Sequence, residues 1–82
     1  MVTKKIQLIV SAIDKVKTFV NINSKYDCTI DVVSGRYVID GKSIMGMFSL
    51  DLTKVLDVTI ECENESDIDS LIKEYEAAKL TV

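Results

Sequence analysis

Three observations in this 82-residue sequence predict an α+β fold, a two-layer open-faced β-sandwich. The period of the apolar residues switches several times between two and about 3.6. The plainest strand pattern has one apolar face and one acidic face, as a sheet open to water on one side requires. The last segment carries a single apolar stripe, the mark of a helix laid on a core. Together they give a four-stranded antiparallel sheet covered on one face by helices, in the order β-α-β-β-α-β-α, as a single domain over residues 1–82.

The elements follow in order along the chain. Ile6, Leu8 and Val10 alternate with Gln7 and Ile9, which predicts a first strand. Ile13, Val16, Phe19 or Val20 and Ile22 then fall at helical spacing, with Asp14, Lys15 and Lys17 between them. Cys28, Ile30 and Val32 alternate with Thr29, Asp31 and Val33 as a second strand. Ser34-Gly35 is a two-residue turn signal, Arg36 to Ile39 returns as a third strand, and Asp40-Gly41 ends it. Ile44 to Phe48 is apolar all round and reads as a short helix on the core surface, with Ser43 in the N-cap position. Leu56, Val58, Ile60 and Cys62 alternate with Asp57, Thr59, Glu61 and Glu63 as the fourth strand. Asn64 or Ser66 caps the last helix, and Glu65, Asp67 and Asp69 suit its positive end. Ile68, Leu71, Ile72, Tyr75 and Ala78 form its buried stripe, and Lys79 sits near its negative end.

Composition narrows the chemistry. The chain has no histidine, so it has no imidazole base, no Ser-His-Asp unit and no His metal ligand. Its net charge of −3 argues against a nucleic-acid partner, because phosphate contacts need clustered Lys and Arg. No apolar run approaches the ~18 residues of a membrane span, and no signal peptide is visible, so a cytoplasmic protein without a membrane partner is expected. Such a domain can fold without staples but has little room for an enclosed active site. The two cysteines, Cys28 and Cys62, occupy apolar strand positions. They read as buried free thiols without metal or redox role.

Among the motifs, Gly41-Lys42-Ser43 resembles the end of a phosphate-binding loop, but the glycine required five residues earlier is Arg36. The aspartates at 27, 31, 40, 51 and 57 show no metal-loop spacing. No cofactor, metal or enzymatic activity is therefore expected. The segment Lys42 to Leu50 says more. Ile44, Met45, Met47 and Phe48 cannot all point inward from so short a helix, so part of the set forms an exposed apolar patch of the kind partners use. Gly46 would permit close approach of another chain. A phosphate on Ser43 would meet free N–H groups and change the charge beside that patch.

The string Gly41-Lys42-Ser43-Ile44-Met45-Gly46-Met47-Phe48-Ser49-Leu50 strongly resembles the regulatory serine region of HPr, the small phosphocarrier of the bacterial sugar phosphotransferase system. Members from Gram-positive bacteria carry K-S-I-M-G-x-x-S-L there. Ser24-Lys25-Tyr26-Asp27 also resembles the corresponding stretch of that family, and the element order and length agree over essentially the whole chain. HPr carries its phosphoryl group on a histidine within a motif of the form G-x-H-x-R-P-A. Counting back from Ser24 places Ala12 at the histidine position, Asp14 at the arginine position and Lys15 at the proline position. The resemblance therefore implies an HPr-like protein without the histidine phosphocarrier activity, similar to the histidine-lacking relative Crh.

In HPr and Crh the serine matching Ser43 is phosphorylated by the HPr kinase/phosphorylase, and the phosphoprotein acts with the transcription regulator CcpA. The resemblance thus implies phosphorylation at Ser43 and a partner surface at Ile44, Met45, Met47 and Phe48, with phenylalanine replacing the usual methionine at 48. Proteins of these two kinds are the partners it implies, in carbon catabolite regulation. Two alternatives stand beside this expectation: a constitutive binding module that needs no phosphate, and a divergent carrier using a non-histidine acceptor such as Asp14 or Cys28.

Overall fold

The computed structural model describes residues 1–82. It contains β1 (Val2–Leu8), α1 (Ile13–Ser24), β2 (Thr29–Ser34), β3 (Tyr37–Asp40), α2 (Ile44–Phe48), β4 (Leu56–Cys62) and α3 (Glu65–Ala77). The sheet order is β1-β4-β2-β3, and every neighbouring pair is antiparallel. The expected two-layer α+β architecture is therefore the one present.

Alternation along β4 explains the layering. Leu56, Val58, Ile60 and Cys62 are buried, while Asp57 and Glu61 face water. The open face is tied by cross-strand pairs: Gln7 donates to Asp57 at 3.1 Å and Thr3 to Glu61 at 3.4 Å, each directly opposite its partner. The other face joins a core of 19 buried residues under α1 and α3. Val16, Phe19, Val20 and Ile22 enter from α1, and Ile68, Leu71 and Tyr75 from α3. The rings of Phe19 and Tyr75 lie 5.4 Å apart and tilted, within the favourable range for aromatic pairs.

Several boundaries differ from the sequence expectation. Val10 lies beyond β1 yet is buried, because the neighbouring Ile9 N–H donates to the Leu80 carbonyl at 2.8 Å and draws the chain under α3. Ile13, expected on the buried stripe of α1, is 63% exposed, since the helix begins there and overhangs the core edge. The hairpin turn is Gly35-Arg36, not Ser34-Gly35, and Ser34 pairs with Tyr37. Gly35 has φ 59° at the first central position, the backbone state a type II′ turn assigns to glycine. Asn64 is the N-cap of α3, but its side chain makes no capping bond.

Helix α3 ends in a Schellman motif. The N–H groups of Lys79 and Leu80 donate to the carbonyls of Glu76 and Tyr75, both at 3.0 Å. Lys79 takes φ 60° to close it, a place where glycine is the relaxed choice.

The cysteines are the main correction. Cys28 and Cys62 are joined as a disulfide, and no cysteine is free. The expectation of free thiols considered each cysteine on its own strand. In the sheet, Thr29 pairs with Glu61, so Cys28 and Cys62 form the next facing pair on the buried side. Their Cα atoms are 4.6 Å apart, the spacing of a narrow antiparallel pair and within disulfide range. The bridge spans 34 residues, and loop-closure entropy values such a link at about 4 kcal/mol.

Candidate functional site

Helix α2 and the loop before it form one unit. Ser43 is the N-cap with extended backbone, and its Oγ accepts the Gly46 N–H at 3.1 Å. The Met47 N–H donates to the Ser43 carbonyl at 3.0 Å, which starts the helical turn. Five residues make little more than one turn, and at about 100° per residue Ile44, Phe48 and Met45 fall in one sector while Met47 lies outside it. Met47 is fully buried and anchors α2 to the core, so it leaves the expected partner surface. Met45 is 80% exposed, Phe48 42% and Ile44 36%. The exposed patch is therefore Ile44, Met45 and Phe48, with the partly exposed Ser43 at its edge.

Gly46 fits this packing, but for a reason inside the chain. A Cβ there would lie 2.6 Å from Ile39 Cγ2 and 3.1 Å from Ser43 Oγ. The close approach expected from another chain is made by strand β3 of the same one.

A polar network, invisible in the sequence, holds the loop. Asn23, fully buried on α1, donates through Nδ2 to the Gly41 carbonyl at 2.7 Å and accepts the Tyr75 hydroxyl at Oδ1. The Gly41 N–H donates to the Ile30 carbonyl at 2.7 Å. A Cβ on Gly41 would meet Ile30 Cγ2 at 2.7 Å, so only glycine fits between β2 and α1. Lys42 donates through Nζ to the Tyr26 carbonyl at 2.9 Å, while its N–H donates to Asp40. The Tyr26 hydroxyl and the Lys25 ammonium both donate to the Glu74 carboxylate. Burial of the Tyr75 hydroxyl raises its pKa well above the usual tyrosine value. The bond to Glu74 raises that of Tyr26, and the Lys25 and Tyr26 donors lower that of Glu74.

The start of α1 offers less. Ala12 is the N-cap, extended in backbone and without a capping side chain, and Asp14 stands in the first turn. The Lys15 ammonium is taken by the Lys79 carbonyl at 3.1 Å, at the end of α3. A carboxylate and a helix C-terminal carbonyl thus flank this corner, and both oppose an incoming phosphate. No group of three His, Cys, Asp or Glu side chains converges to hold a metal. The open depressions on the surface are lined by other residues, one on the bare sheet face and one beside the Gly35-Arg36 turn. No helix is long and apolar enough to cross a membrane.

Comparison with known proteins agrees with this geometry. No curated protein sequence matches the chain. Solved structures share its fold, these three among them. HPr-C-His from Thermoanaerobacter tengcongensis is 25% identical, with a TM-score of 0.72, over 95% of this chain and 94% of that one. The phosphocarrier protein HPr from Bacillus anthracis is 21% identical with a TM-score of 0.65, covering 89% and 94% of the two chains. The histidine-containing phosphocarrier protein of Mycoplasma is 15% identical with a TM-score of 0.68, covering 96% and 100%. The family model described as the PTS HPr component phosphorylation site matches residues 14–77. The chain belongs to the HPr family of the phosphotransferase system.

Proposed function

We propose that this HPr-family protein is a regulatory protein–protein interaction module, phosphorylated on Ser43 and read through Ile44, Met45 and Phe48. The observation that carries the reading is the contrast between two helix starts. Ser43 is partly exposed beside three exposed apolar side chains, while the α1 start holds Ala12 and Asp14, the positions that counting back from Ser24 sets against the histidine and arginine of the family motif. A phosphate on Ser43 would add about −1.5 to −2 charges at the edge of the patch. It would also disturb the bond from the Gly46 N–H to Ser43 Oγ, changing both the charge and the seating of the surface a partner meets. The reading takes an HPr kinase/phosphorylase as modifier and a CcpA-type regulator as reader, and the protein as a cytoplasmic single domain without enzymatic activity.

Incubation with an HPr kinase and ATP tests the reading. Phosphate on Ser43 is expected. An unlabelled chain, beside an HPr labelled in the same reaction, would refute it. The apolar patch is exposed without any phosphate, which favours constitutive binding as the second reading. A Ser43→Ala variant that still holds its partner in a pull-down selects that reading, and loss of the partner selects the first.

A further inference from the structure

We infer that Cys28 and Cys62 form a reversible redox site, a dithiol–disulfide pair whose oxidised state clasps the segment that holds the Ser43 loop. Three observations carry this. The two residues face each other across β2 and β4 with their Cα atoms 4.6 Å apart, so a bond forms without moving the strands. The bridge lies at the ends of elements. Cys28 is the first residue before β2 and Cys62 the last of β4, so it pins the junction from α1 into β2 to the junction from β4 into α3. That first junction carries the loop: Asn23 bonds the Gly41 carbonyl, the Tyr26 carbonyl holds Lys42, and the Ile30 carbonyl holds the Gly41 N–H. Cys28 sits between the last two anchors.

The fold does not hang on the bond, so the reduced chain keeps its sheet and core. Seventeen of the 19 core residues are not cysteine, and facing strands on either side of β4 hold the sheet without a covalent link. In the oxidising direction a small-molecule disulfide such as oxidised glutathione is attacked by one cysteine thiolate, giving a mixed disulfide and one released thiol. The second cysteine then attacks its own partner's sulfur and expels the other thiol. Two protein thiols lose two electrons and two protons, and one soluble disulfide becomes two thiols. The reverse consumes two soluble thiols and releases one soluble disulfide. Cys62 is 1% exposed and Cys28 6%, so both directions are slow and wait on opening of the Lys25–Asp27 segment, whose Tyr26 is packed partly buried against the core.

The proposal does not depend on phosphorylation of Ser43, and its test does not use it. The whole chain is equilibrated in glutathione buffers of graded oxidised fraction, alkylated, and weighed, with amide NMR spectra at both extremes. The expected result is two thiols appearing together, a dispersed spectrum in both states, and amide shifts at Tyr26 and at Gly41 to Ser43 as well as at the cysteines. A Cys62→Ala variant is expected to show no reductant-dependent shift. Two thiols still free in the most oxidising buffer overturn the pair. Loss of dispersion on reduction overturns the switch in favour of a structural staple. Unmoved Gly41 to Ser43 amides overturn the clasp.

Discussion

Helices α1 and α2 begin with similar backbones and different chemistry. Ala12 and Ser43 are both extended N-caps, with φ −121° and −98°. At Ser43 the side chain bonds the first turn, and at Ala12 nothing does. Behind Ser43 lie three exposed apolar residues and a loop anchored by Asn23 and Tyr26. Behind Ala12 lie a carboxylate and a lysine spent on a carbonyl. The two corners thus share a backbone form and differ in side chains, and the proposed reading gives the phosphate and the partner to the Ser43 corner. Architecture is held by the core, and chemistry by a few side chains that can change without disturbing it.

The contrast breaks first at the anchors of the Ser43 loop. Asn23→Ala leaves the Gly41 carbonyl and the Tyr75 hydroxyl without their buried partner, which costs about 3 kcal/mol. Thermal unfolding should drop by more than ~10 °C; a fall of only a few degrees would mean that the network does not hold the loop. Gly46→Ala comes next. Helix propensity alone would stabilise it by about 1 kcal/mol, but the new Cβ would press on Ile39 and overpacking costs roughly 1–3 kcal/mol. Net destabilisation in urea unfolding is expected, and a gain in stability would show the β3 contact to be soft.

The caps themselves give a matched pair of smaller effects. Ser43→Ala should cost about 1 kcal/mol, and Ala12→Ser should gain a similar or smaller amount. If both substitutions are silent, the difference between the two helix starts is not energetic. The smallest effect near neutrality is alkaline. Burial raises the Tyr75 pKa above its ordinary 10.0, so its contribution is full below about pH 10 and is lost as pH rises further, because only the unfolded chain ionises readily. Urea midpoints should hold up to about pH 10 and fall as pH rises beyond it, less steeply in Tyr75→Phe. Equal slopes in the two proteins would contradict the burial assignment.

Local pattern carried much of this structure. The period-two runs around Ile30 and Val58 and the stripe from Ile68 to Tyr75 are set by nearest neighbours on one element, so they are legible in the chain. The Ser43 cap is local in the same way. What stayed hidden depends on which strands meet. Cys28 and Cys62 become partners only because β4 inserts between β1 and β2. Met47, one of four apolar residues in a row with glycine, gives no sign of being the one turned inward until the seat of α2 on the core is known. Asn23 looks like a surface residue near a helix end, and its burial follows from Gly41 and Tyr75 arriving from distant positions.

The central claim is that phosphate reaches this molecule at Ser43 and not at the start of α1. Two parallel reactions test it, one with an HPr kinase and ATP and one with Enzyme I charged by phosphoenolpyruvate, each followed by mapping of the phosphorylated residue. Phosphoserine at position 43 in the first and no transfer in the second is the predicted result. Transfer from Enzyme I to Asp14 or any other residue near Ala12, with Ser43 unmodified by the kinase, would contradict it.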